Sequence, residues 1–379
     1  MSGALGVAGT LAGRQARAPP LQLGTGVFDA RDTQSHTNNL ISRLTTPRPL
    51  RSSPPSQRQA ARVFLERSPF VPWAQQRPAF VHPAFTGVVH PDLPLWSGVS
   101  DPPPEPRPES RSSLPRVARL TTLEARDQPC FHVQTISAAR CLSEDDARRK
   151  IIAAATHGAA ALLLVSGDAV ADADAHRARP STRPRPRPRE SSTSSLDSLA
   201  LLSVASRARS AGDIPPDTIL GCVANPSLDG ADGVARLDAK ISAGAAMCVT
   251  QPSLSPTRHR AWRAAVADAS LLDACALVQG VHIATSAVGV GFWHRLAGVE
   301  DHPEAIAERV AFRRAANHLD AETFRAWVVE RAELAAAEAL ANGGDARGGG
   351  VHVMPVTADG YAAAAKLADS LQTLARIMR

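Results

Sequence analysis

The sequence predicts an α/β protein built as a (β/α)8 TIM barrel, and three observations carry that expectation. From Cys130 to the C-terminus, apolar runs of strand length alternate with stretches of helix length at least six times. The strands are continuous in apolar residues, as strands buried on both faces are. No Gly-x-Gly-x-x-Gly follows the first strand of any unit, which counts against a dinucleotide-binding doubly wound sheet, the other architecture that such alternation allows.

The N-terminal part is different in kind. Residues 1–60 hold seven arginines against Asp29 and Asp32, a composition shared by organelle transit segments and by plain disordered tails. That segment is expected to be poorly ordered, which leaves a cytoplasmic or an organellar (mitochondrial or plastid) location. Residues 61–379 are expected to form the barrel. Between 61 and 128 proline is too dense for long helices, and "LPLWSGVS" (93–100) is the strand-like piece there, with one less certain strand upstream. "CFHVQTI" then reads as a strand. "SEDDARRKIIAAATHG" reads as a helix, with Ser143 as N-cap, acids in the first turn and Gly158 as the stop.

The later units repeat that grammar. "AALLLVSGD" is a buried strand, followed at 174–195 by an arginine-proline tract expected to be a mobile low-complexity insertion. The helix "SLDSLALLSVASRARSAG" leads to the strand "TILGCVAN", and "DGVARLDAKISAG" leads to "AAMCVTQ". The helix "SPTRHRAWRAAVADA" leads to "CALVQGVHI". Helices are expected over about 301–341, then a last strand, "GVHVMPV", and a last helix, "ADGYAAAAKLADSLQTLARI".

Composition narrows the function classes. Of the 379 residues 44% are hydrophobic but only 4% aromatic, so the core must be assembled from small aliphatic side chains. The net charge of +6 comes mainly from arginines in segments without regular pattern, and aromatics are not interleaved with them, which argues against stable nucleic-acid binding. No apolar run is long enough to span a membrane. The five cysteines lie apart, with no Cys-x-x-Cys pair and no Cys/His cluster at metal spacing, so no metal is expected.

In a parallel barrel the active site lies at the C-terminal strand ends. The polar residues there are His132, Gln134, Asp168, Asn225, Gln251, Gln279, His282 and His352. Five of the pieces that carry them, "HVQT", "ALLLVSGD", "LDAKISAGAAMCVTQP", "LVQGVHI" and "GVHVMPV", stand in an order and spacing that resemble the methylenetetrahydrofolate reductase family over about residues 130–360. The resemblance implies a flavin-dependent barrel oxidoreductase that reduces 5,10-methylenetetrahydrofolate to 5-methyltetrahydrofolate, with FAD as cofactor and NADH or NADPH as electron donor. It places such a protein in the one-carbon metabolism that feeds methionine biosynthesis.

The same resemblance implies a role for each matching position. Asp168 would be catalytic, beside the flavin and the cationic iminium form of the folate, and Gln251 would bind the pterin. His132, Ser166, Gly167, Asp168 and Lys240 would hold FAD. Glu66, in "VFLERSPFVP", stands nearest to the family's general acid. Four pieces depart from the family: its corner arginine is Ser166 here, its loop after the fifth strand reads "NPSLDGADG", its glutamine after the Pro-Gly-Ile strand has no counterpart in "ATSAVGVG", and its opening Phe-Glu-Phe-Phe-Pro-Pro strand is matched only by "VFLERSPFVP". The alternative is therefore a diverged barrel without FAD that acts as a binding or regulatory protein. A folate is the expected partner, and self-association is open.

Overall fold

In a computed structural model of the chain, the structure describes residues 62–68, 70–92, 131–166, 196–252, 254–342 and 349–377. Eight parallel strands close into a barrel in chain order: β1 (Arg62–Glu66), β2 (Gly87–His90), β3 (Phe131–Ser137), β4 (Ala161–Val165), β5 (Ile219–Ala224), β6 (Met247–Pro252), β7 (Ala276–Ile283) and β8 (Gly350–Pro355). The expected fold class is thus present. The second strand is Gly87–His90; the stretch 93–100 lies outside the described residues, as do the N-terminal segment 1–60 and the tract 174–195.

The helices are α1 (Trp73–Phe80), α2 (Glu144–Thr156), α3 (Ser198–Ser210), α4 (Pro226–Ser242), α5 (Pro256–Asp268), α6 (Ala287–Leu296), α7 (Pro303–His318), α8 (Ala321–Asn342) and α9 (Ala358–Ile377). Their starts follow local chemistry. Ser143 accepts from the Asp146 amide at 3.2 Å, with Glu144, Asp145 and Asp146 in the first turn of α2. Asp197 caps α3 through the Ala200 amide at 2.8 Å. Pro226 opens α4, so "NPSLDGADG", expected as a loop, is the first two turns of a helix. α1 is short and carries Pro78. No helix among the described residues is long and apolar enough to cross a membrane.

Strand alternation divides the core. Phe64, Val89, Val133, Ala161, Leu163, Met247, Val249 and Val278 fill the barrel interior. Their neighbours in sequence, among them Leu65, Val88, Leu162, Leu220, Cys222 and Val281, pack outward against the helices. The barrel closes where β8 meets β1, with Arg62 beside Gly350 and Phe64 beside His352. A Cβ on Gly350 would stand 2.1 Å from the Arg62 carbonyl oxygen, and backbone cannot yield there without parting the seam. Gly350→Ala is therefore expected to cost about 3 kcal/mol or more, read as a lowered urea midpoint.

One part of the architecture was not expected. α8 packs on β7 and β8 and is the crossover helix of the seventh unit. The pair α6 and α7 is then an insertion between β7 and that helix. It reaches over the C-terminal ends of three strands. Asn225, after β5, donates from Nδ2 to the Ala297 carbonyl at 2.9 Å, and Ser255, after β6, donates to the Glu304 carboxylate. The ring of His282 on β7 lies 6.3 Å from that of Trp293.

Candidate functional site

Each interior position is fixed by the two-residue period of its strand. Phe64 faces inward, so Glu66, two residues on, faces inward at the C-terminal end of β1. Register partners share a face, which brings His352 inward beside Phe64 and Gly280, and His282 inward beside Met354. Gln251 is half-buried and stands in the irregular stretch between Val249 and Pro252, where the register of β6 against β7 shifts, so the two-residue period does not fix its face. Glu66, His282 and His352 thus face inward toward the mouth, whose β5–β7 side the α6–α7 pair overhangs.

The electrostatics of this group are set by burial. The Glu66 carboxyl is pushed from the ordinary carboxylate range up to about 7 by desolvation. Desolvation also lowers His352 to about 3; that residue is 4% exposed. The two side chains approach to 3.4 Å between Nε2 and Oε2, yet neither nitrogen of His352 has a hydrogen-bond partner. Below about pH 7 this contact sets a carboxylic acid beside a neutral imidazole, because burial penalises both charges more than one such approach repays. The backbone under Glu66 is held firmly. The buried Tyr361 hydroxyl donates to the Glu66 carbonyl at 2.7 Å and accepts from the Ser68 amide at 2.6 Å.

A second polar group ties the cover to the barrel. Glu308 on α7 accepts from His294 Nε2 at 2.8 Å and from Arg331 Nη2 at 3.0 Å, and its carboxylate lies 3.8 Å from His282 Nε2. Arg309 Nη1 sits 3.4 Å from His294 Nδ1; a guanidinium only donates, so Nδ1 accepts and the ring proton is on Nε2. Burial pushes Glu308 up, but the bond from His294, with His282 and Arg331 beside it, outweighs that and holds it at about 2. Among the described residues no cluster of three His, Cys, Asp or Glu side chains is placed to hold a metal ion.

Of the residues expected to hold a flavin, His132 and Lys240 do not point into this mouth. Phe131 and Val133 face the interior, so His132 projects to the helix side of the sheet. There its ring stacks on His90 at 5.5 Å, with His90 Nε2 3.2 Å from His132 Nδ1. Gln134 and Gln279 share that outward phase. Lys240 donates to the Val223 carbonyl at 2.8 Å, within the layer between helix and sheet. Ser166 accepts from the first amide of α3 at 3.2 Å. Gly167 and Asp168 lie outside the described residues. His132 and Lys240, with their polar groups engaged away from the mouth, do not fit FAD there, and no step below is routed through it.

His352, Glu308, His294 and Arg331 had no role assigned from sequence. His352 was legible as a polar residue in an apolar strand; the other three lie in helices far from any motif, and only the fold brings them to the mouth.

No protein-family model matches this sequence, and no curated protein matches it either. Among solved structures, an uncharacterized protein from Clostridium thermocellum that binds two copies of 5-methyl-5,6,7,8-tetrahydrofolic acid is similar over 85% of this chain and 98% of its own, at 11% identity and a TM-score of 0.43. 2,3-Dimethylmalate lyase, a PEP mutase/isocitrate lyase superfamily member, is similar over 64% and 71% of the two chains, at 12% identity and a TM-score of 0.38. Oxaloacetate acetylhydrolase is similar over 59% and 67%, at 14% identity and a TM-score of 0.35. Likenesses of this degree carry no argument about ligand or reaction, and the folate is a property of the Clostridium thermocellum protein.

Proposed function

We propose that the covered mouth of this barrel binds a reduced folate and that Glu66 serves there as a proton donor. The observation that carries the reading is the Glu66 carboxyl itself: it ends β1, faces inward, and keeps its proton to about 7. A general acid works best with a pKa near the working pH, which burial supplies here without a neighbouring carboxylate. Gln251 on β6 supplies an amide for the pterin edge. The folate as ligand rests on the sequence pieces from His132 to Val356, which resemble the methylenetetrahydrofolate reductase family.

Two chemistries are compatible with such a site. In the first the protein is a reductase of 5,10-methylenetetrahydrofolate that draws electrons from NADH or NADPH through FAD. In the second it is a diverged barrel that holds the folate without a flavin. The outward phase of His132 and the engagement of Lys240 and Ser166 favour the second. Titration of the purified full chain with 5-methyltetrahydrofolate, followed by calorimetry, tests the shared part, and added FAD separates the two. Saturable folate binding with no flavin retained after gel filtration is the expected result. Retained flavin that NADPH bleaches would return the reductase, and no folate binding would remove both.

A further inference from the structure

The most exposed anomaly in the core is His352. It is 4% exposed, yet both ring nitrogens lack a hydrogen-bond partner, in an interior where buried polar groups are otherwise paired in the great majority of proteins. Its backbone takes its place beside Phe64 in the β1–β8 seam, but its side chain makes no hydrogen bond that serves the fold. The ring lies inside the barrel beside Gly280, in register with Phe64, so it stands one layer below Glu66, its nearest polar neighbour at 3.4 Å.

We propose that His352 is the floor of the ligand site and hydrogen-bonds directly to the bound molecule, and that the part of the ligand reaching it is an uncharged polar edge with a donor and an acceptor side by side. A neutral imidazole offers either its N–H or its lone pair toward a given side, and the neighbouring protonated carboxyl offers an O–H and a carbonyl, so the two together can meet one donor and one acceptor. The amide-like edge of a pterin matches that pair. A carboxylate or phosphate does not. Among the described residues no lysine or arginine stands on the inward phase of the strands at this end; Arg331 is engaged by Glu308, and Arg62 lies at the opposite end with its guanidinium 4.4 Å from the Phe131 ring. The inference rests on the folate reading only for the identity of the ligand.

A partner held back for a ligand leaves a signature that a structural histidine does not. Removing an unpaired buried polar group stabilises a protein, whereas removing a satisfied one destabilises it. His352→Leu is therefore expected to raise the melting temperature of the ligand-free chain by about 2 °C or more. It should also weaken 5-methyltetrahydrofolate roughly tenfold or more, the cost of losing a buried bond to the ligand. His352→Gln, which keeps a donor and an acceptor, is expected to retain most of the affinity.

The result that overturns the proposal is a lower melting temperature, or loss of the fold, in His352→Leu, or folate affinity equal to that of the wild type. If the wild-type chain binds no folate, the proposed function fails on its own. The role of His352 is then judged by the ligand-free melting temperatures alone: a gain in His352→Leu supports it and a loss overturns it.

Discussion

Replacing Glu66 by Gln is expected to leave stability at pH 4 unchanged and to raise it by about 3 kcal/mol at pH 8, the energy equivalent of moving a carboxyl from its ordinary range to about 7. The sign follows from proton counts. Below about 4.5 the carboxyl is protonated in both the folded and the unfolded chain, so its contribution is fully present. As pH rises toward 7, the unfolded chain releases the proton and the native barrel keeps it, so stability is lost; above 7 the loss is complete. Gln copies the shape of the protonated acid and does not titrate. Urea midpoints of the two proteins should therefore coincide at pH 4 and separate by pH 8. In any turnover of a folate the same change removes the proton donor and slows the reaction about a hundredfold or more. A variant that is no more stable at pH 8 would mean that Glu66 ionises like a surface carboxylate.

The second large effect is loss of the fold in acid. His352 and His90 are lowered to about 3 and His259 to about 4, each chiefly by burial, with the His132 ring and Arg67 adding to the shift at His90 and Arg263 and Arg260 at His259. All three are under 9% exposed. For a base whose folded pKa is depressed, stability is intact above the ordinary value near 6.5 and falls as pH drops below it, because only the unfolded chain takes up protons. At pH 4 each of the three costs about 3 kcal/mol by this linkage, while Glu66 returns about 3, leaving a net loss of about 6 kcal/mol. That is comparable with the whole stability of an ordinary domain. Burial shifts His132 and His282 in the same direction. Circular dichroism in a modest fixed urea concentration should show the barrel melting between pH 6 and 4, with the decline from pH 7 steeper in Glu66→Gln, which starts more stable and reaches the wild-type value near pH 4. A flat urea midpoint from pH 7 to 4 would show that these histidines are accessible to protons in the native state.

How far the sequence reveals this molecule depends on the scale. The barrel was legible because strands buried on both faces, such as "ALLLV", and capped helices, such as the one opening at Ser143, announce themselves locally. The same double burial hid the site. In "FHVQTIS" nothing in the residues says whether Phe131 or His132 faces the interior, and the sheet places Phe131 and Val133 inside. Histidine 132 was therefore expected at the mouth, where the register does not bring it. Glu66 was singled out only through the family resemblance, and it stands inward at the end of β1; its raised pKa was not legible, since it depends on what buries it. The cover was not legible either. "ATSAVGVG" is too small and too glycine-rich to signal a helix, and α6 is held by Ser286 capping the Gly289 amide at 3.1 Å and by tertiary contacts through Trp293 and Ala297.

The central claim is that the mouth of the barrel holds a carboxylic acid that keeps its proton up to about pH 7, placed against a folate. Infrared difference spectroscopy of the full chain at pH 6.5, wild type minus Glu66→Gln, with and without 5-methyltetrahydrofolate, tests it directly. The account predicts a protonated-carboxyl band that is absent from the variant, disappears as pH is raised through about 7, and shifts when the folate is added. A wild-type spectrum with no such band, or one that the folate leaves unmoved, would contradict it.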